Sequence, residues 1–165
     1  MVSPELPGHS ILFKGVLMGI VRNEILRASA MQGCSSVRQI AQEEADELRN
    51  NTIDKFANGK RDALFIWEGF ADAVSIHADD GWQWLTTLPE KNSLFLFFST
   101  REERSVFEFR KPIDIVRTLD DAFGFEFYIT NLASEFIVCF NHHHYLIATG
   151  TMTSWLKNER VARGM

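Results

Sequence analysis

A chain of 165 residues, 45% hydrophobic and 24% charged, is long enough to bury a core in one domain, which excludes disorder as the default. Seventeen basic residues against twenty-two acidic ones leave a net charge of −5, which argues against nucleic acid as a partner. Cys34 and Cys139 have no metal-type spacing, so free thiols in a reducing cytoplasm are expected rather than a disulfide.

The opening Met1–Ser10 carries an acid and two prolines where a signal peptide needs basic charge, and Pro4–Ser10 reads as extended. From Ile11 to about Ala30, Phe13, Leu17, Ile20 and Val21 recur at helical spacing. Gly15 and Gly19 weaken that helix, and a strand followed by a shorter helix is the alternative. Ile11–Val21 is interrupted by Lys14 and too short to cross a bilayer, so a soluble, cytosolic protein is expected. The Gly15–Gly19 spacing suits close packing of a helix.

Ser36 followed by Gln39 resembles a capping box, and a helix is expected from Ser36 to about Ala57. Val37, Ile40, Ala41, Ala45, Leu48, Thr52 and Phe56 form its inward stripe. Glu43, Asp46, Glu47, Arg49, Asn50 and Asp54 form a solvated or acidic docking face, and Asn58-Gly59 stops the helix.

Ala63–Phe70 reads as a short buried helix or strand. Val74–His77 opens the sheet and ends at the turn Ala78–Gly81. Trp82, Trp84 and Leu85 begin a helical or irregular segment. Leu94–Ser99 is a strand apolar on both faces, and Ser105–Arg110 is half-exposed beyond the charged link Thr100–Arg104. Pro112 to Ala122 is a helix, with Ile113, Val116, Leu119 and Phe123 at helical spacing and Gly124 as its stop.

Gly124–Gly150 is the organising stretch. Three strands, Phe125–Thr130, Glu135–Phe140 and Tyr145–Thr149, are joined by four-residue links and form an antiparallel meander. The middle strand carries Phe136, Val138 and Phe140 on one face and Ile137 and Cys139 on the other, so it belongs inside the sheet, covered on both sides. Thr151–Arg160 closes the chain as a helix with Met152, Trp155 and Leu156 inward. The class is α+β, a mainly antiparallel sheet of five to six strands with N-terminal helices packed on it and a short C-terminal helix, in a single domain over residues 1–165.

The chemistry-bearing residues do not assemble into a catalytic motif. Clustered imidazoles at His142-His143-His144 suit zinc, copper or nickel, and His142 and His144 project together from an extended segment. Only His77, Asp79 or Asp80 offer a further ligand, so no metal or other cofactor is assigned. A nucleophilic pair of Cys139 with one of these rings requires a thiol that an apolar strand makes inert. The carboxylate pairs Asp79/Asp80, Glu102/Glu103 and Asp120/Asp121 fall in links or helix ends, where acids face water. Trp82 and Trp84 flank an acidic turn, the composition of an interface anchor, and one of them also suits the core.

Several of these segments carry a resemblance: Trp67-Glu68-Gly69-Phe70, Asp80-Gly81-Trp82, Gly124–Ile129, and Cys139-Phe140-Asn141-His142-His143 leading to a glycine-terminated strand. Together they resemble small uncharacterised bacterial proteins, and the order of elements resembles SUKH-type and related immunity proteins of bacterial toxin systems. The likeness spans residues 60–157 and transfers no functional residue. It implies a cytosolic, non-enzymatic protein, monomer or homodimer, that binds and neutralises a cognate toxin, which the acidic charge suggests is a basic, nuclease-like domain. The contacts expected are Asp79, Asp80, Trp82, Trp84, Glu102, Glu103 and the acidic face of the Ser36–Ala57 helix. The competing readings are a metal- or thiol-dependent hydrolase centred on His142–His144 with Cys139, and an oligomeric domain paired through a sheet edge or through Ile11–Val21.

Overall fold

The computed structural model describes residues 9–165, with side chains in the first helix described from residue 19 onward. The extended reading of Pro4–Ser10 lies outside those residues up to residue 8, and His9 and Ser10 already belong to a helix. The close-packing reading of Gly15 also lies outside the described side chains.

Seven antiparallel strands form one sheet: β1 (Arg38–Gln39), β2 (Val74–His77), β3 (Leu94–Phe97), β4 (Phe107–Phe109), β5 (Phe127–Asn131), β6 (Val138–Phe140) and β7 (Tyr145–Ala148). Their order is β1-β4-β3-β5-β6-β7-β2. The meander is the β5-β6-β7 portion, in register at Tyr128↔Cys139 and Cys139↔Ile147. As its two apolar faces require, β6 has a neighbour on each edge.

Side chains alternate across this sheet and bury two separate cores. Leu94, Leu96, Phe107, Phe109, Phe127, Ile129, Val138, Leu146 and Ala148 face one side; Phe95, Phe97, Tyr128, Cys139 and Ile147 face the other. The first face is covered by α1 (His9–Met31), through Val21 and Ile25, and by α3 (Pro112–Asp121), through Ile115. Trp84, Leu85 and the closing helix α4 (Thr153–Ala162), through Trp155 and Leu156, complete that cover. The second face is covered by α2 (Gln42–Phe56), through Ala45, Leu48 and Ile53, and by Ile66 from a 3-10 turn at Ile66–Gly69. The fold is therefore α+β, with the two N-terminal helices on opposite faces. No described helix is long and apolar enough to cross a membrane.

Four expectations are corrected. The helix expected from Ser36 begins at Gln42, and the residues before it form β1, the seventh strand, paired to β4 at Arg38↔Glu108 and Gln39↔Phe107. Val37 packs with one core and Ile40 with the other, the alternation of a strand and not the stripe of a helix. The Ser36/Gln39 pair makes no capping box; the Gln39 amide instead donates to Ser105 Oγ at 3.1 Å, and the N-cap is Ala41.

Arg49, placed on the solvated face by its charge, is only 4% exposed. Its guanidinium bonds Asp46 at 2.6 Å and the Arg104 carbonyl at 3.1 Å, so the ion is sheltered by partners rather than by water. In α3 the inward residues are Ile115 and Thr118, while Ile113 and Phe123 are exposed. Val116 and Leu119, the middle of the expected stripe, are half-buried against the first core, so only its two ends, Ile113 and Phe123, fall outside.

The stop signals hold. Asn58 and Gly59 both take positive φ after α2, and Gly150, φ +57, packs where a Cβ would stand 2.2 Å from the Glu135 carbonyl oxygen.

Candidate functional site

The antiparallel order fixes which loops meet. The chain leaves β2, β3 and β6 and enters β5 and β7 at one end of the sheet, as the pairs His77↔Tyr145, Phe127↔Phe140 and Phe97↔Tyr128 show. The links 78–81, 98–104, 122–126 and 141–144, distant in sequence, therefore gather at that end. Five of the six residues singled out as contacts lie in these links or at their boundary, at Asp79, Asp80, Trp82, Glu102 and Glu103.

Two adjoining depressions occupy this end, with Phe123, Gly124 and Phe125 forming the ridge they share. The first is a groove of about 320 Å³ lined by Asp79, Trp82, Asp120, Phe123, Phe140 and His144, among others. His144 closes the β6–β7 turn at φ +60, stacks on Phe140, and holds Asp79 through Nδ1 at 2.8 Å. That hydrogen bond holds the Asp79 carboxyl below its ordinary range, so the acid stays charged at the groove's rim. Phe123 is 47% exposed, a large ring left in solvent beside two aspartates.

The second depression is a pocket of about 470 Å³ lined by Val21, Leu64, Phe65, Phe123, Phe125, Arg101, Glu102, Glu126 and His142. Glu126 is its hinge. Although 8% exposed, it accepts from the Tyr128 hydroxyl at 2.7 Å, from the His142 backbone N–H at 3.3 Å and from His142 Nδ1 at 2.9 Å. A carboxylate acceptor places the imidazole proton on Nδ1 and leaves Nε2 as the acceptor. His142 also rests against Phe65, with ring centroids 5.0 Å apart. The Glu102 carboxylate has no hydrogen-bond or ion-pair partner among the described residues, although its backbone N–H donates to the Ser99 carbonyl at 2.9 Å. Burial pushes its carboxyl up, helped by the negative charge of Glu126 and opposed by His142.

Several expected roles are not met. Trp84 is 2% exposed, inside the core beneath the Arg163 guanidinium, and cannot touch a partner. Glu103 is also buried: its carboxylate accepts from the backbone N–H groups of Arg22 and Ser105, tying α1 to the β3–β4 link. Asp80 is exposed but lines neither depression. The acids of α2 lie over the opposite face of the sheet, where Asp46 and Asp54 are engaged by Arg49 and Arg61.

His142 and His144 do not project together, and it is His143 whose ring lies beside that of His142, 3.9 Å between centroids. The turn sends His142 to Glu126 and His144 to Asp79, and no three potential metal ligands group among the described residues. Cys139 is fully buried in the α2-side core, where burial, followed by the charge of Glu126, pushes its thiol well up. It is therefore protonated at neutral pH and no nucleophile. Cys34 is buried against α3, beside the Asp114 carbonyl, so the two thiols stay apart and free.

Sequence reasoning did not single out Glu126 or Phe123. A signal for Glu126 existed: in Phe125–Thr130 it shares a strand face with Tyr128 and Thr130, so an inward strand face carries an acid that needs partners. Comparison of the chain with family models, with curated proteins and with solved structures returns no match.

Proposed function

We propose that this protein is a non-enzymatic binding module that captures a basic protein partner at the groove end of the sheet, in the manner of an immunity protein neutralising a cognate toxin. The observation that carries this reading is the groove itself: exposed Phe123 and half-buried Trp82 set between the carboxylates of Asp79 and Asp120. Aromatic anchors provide desolvated contact area, and a charged rim of one sign steers a partner of the other. The overall charge of −5 acts in the same direction.

The residues that define the groove come from three separated links, held by the β2–β7 and β5–β6 pairings, so the surface is formed before any partner arrives. A charge-reversed pair, Asp79→Lys with Asp120→Lys, leaves both cores untouched. The test is co-expression with the product of the adjacent gene, scored by co-purification and by rescue of growth. The expected result is a complex that weakens with salt and is lost in the charge-reversed variant. A wild-type chain that neither binds nor protects, or a complex indifferent to the double reversal, overturns the reading.

A further inference from the structure

We propose that the pocket between Glu102 and Glu126 is a binding site for a small organic ammonium ion, an amine carried on an apolar body. The volume, about 470 Å³, falls within the range of small-molecule pockets, about 300–1,000 Å³. Its walls are apolar and largely aromatic: Val21, Leu64, Phe65, Phe123 and Phe125.

The polar groups have unequal roles. Glu126 is already committed to Tyr128 and His142, and Arg101 donates through Nε to the Asp62 carbonyl at 2.9 Å. Glu102 alone, half-buried beside another carboxylate, lacks a counter-charge among the described residues. A carboxylate drawn out of water without a partner costs free energy, and an ammonium ion that donates to it recovers that cost while its apolar body covers the rings. Phe65, Phe123 and Phe125 line the pocket, and an aromatic wall attracts a cation through its ring quadrupole, which an uncharged ligand lacks.

This inference does not rest on the protein-partner reading. Asp79 and Asp120 do not line the pocket, and Glu102 does not line the groove, so each can fail alone.

The test is calorimetric titration of the full chain with 2-phenylethylammonium chloride, with 2-phenylethanol as the uncharged control. Saturable one-to-one binding of the ammonium is expected, with affinity at least about tenfold weaker in Glu102→Gln, the equivalent of one charge-assisted hydrogen bond. Glu102→Gln removes a charge from a half-buried place and is expected to keep the wild-type circular dichroism spectrum. Phe123→Ala, at a residue 47% exposed, reports the aromatic wall without risk to the core and is expected to weaken binding severalfold.

Binding should also weaken as pH falls and Glu102 takes up its proton. The other charged groups facing the site are Glu126 and His142, bonded to each other, and Arg101, which remains cationic. Absence of saturable heat up to about 10 mM ligand overturns the proposal. So does alcohol binding as tight as that of the ammonium, or an affinity unchanged in Glu102→Gln.

Discussion

The Tyr128–Glu126 hydrogen bond offers the sharpest check on how this end of the sheet is held. Tyr128 is 1% exposed and Glu126 8%, and their oxygens are 2.7 Å apart, so water cannot replace either partner without opening the β3–β5–β6 core. A hydrogen bond to a charged group contributes about 1.5–3 kcal/mol net, and loss of the donor leaves a buried carboxylate oxygen unpaired. Tyr128→Phe keeps the ring stacked on Phe97, 5.4 Å between centroids, and removes only the hydroxyl. The variant is expected to lose about 2–3 kcal/mol at neutral pH, read from urea unfolding as a lower midpoint with unchanged slope. Glu126→Gln keeps one carbonyl oxygen for the His142 N–H groups and turns an amide N–H toward the Tyr128 hydroxyl oxygen, so it should cost less than leaving a buried carboxylate oxygen unpaired. In the double-mutant cycle the two sites should couple by about 1–3 kcal/mol. A coupling below about 0.5 kcal/mol, the scatter of independent sites, would refute the claim that this bond anchors the pocket.

Other consequences follow from particular contacts. Gly150→Ala forces a Cβ to 2.2 Å from the Glu135 carbonyl oxygen and 2.9 Å from the Phe56 ring, at φ +57. The left-handed conformation alone costs about 1–2 kcal/mol, so a loss above 2 kcal/mol is expected from denaturation, and a loss under about 1 kcal/mol would contradict the packing of the β7–α4 turn on α2. Glu102 holds its proton more tightly folded than unfolded, so the folded state binds more protons between the two values and stability falls as pH rises through that window. Glu102→Gln should therefore be more stable than wild type at neutral pH, with the difference fading in acid; urea midpoints from about pH 4 to pH 8 test it, and a pH-independent difference would count against it. Both thiols should resist an aromatic disulfide reagent until the chain is unfolded, because both are buried; fast labelling of native Cys139 would be inconsistent with its place under α2.

What the sequence determined by itself was the set of elements whose patterns are local. The β5-β6-β7 meander, the apolar β3, the Pro112 start of α3, the Asn58-Gly59 stop and the inward Met152, Trp155 and Leu156 all depend on alternation, turn chemistry or helical spacing within a few residues. The partition of residues 136–140, which run into β6, between Phe136, Val138 and Phe140 on one face and Ile137 and Cys139 on the other follows from an extended chain's period of two.

Tertiary structure decided whatever depended on a distant partner. Arg38-Gln39 became a strand because β4 offered a free edge, overriding the helix start suggested by Ser36 and Gln39. Arg49 and Glu103 went inside because backbone and carboxylate partners were waiting for them, while Ile113 stayed out because α3 turned its Ile115–Thr118 face to the core, and Phe123 stayed out because α3 ends before it. The pairing of Glu126 with His142, and of Asp79 with His144, joins residues 16 and 65 positions apart. Such contacts leave no periodic trace in the chain, because nothing but the antiparallel return of the strands brings them to the same end of the sheet.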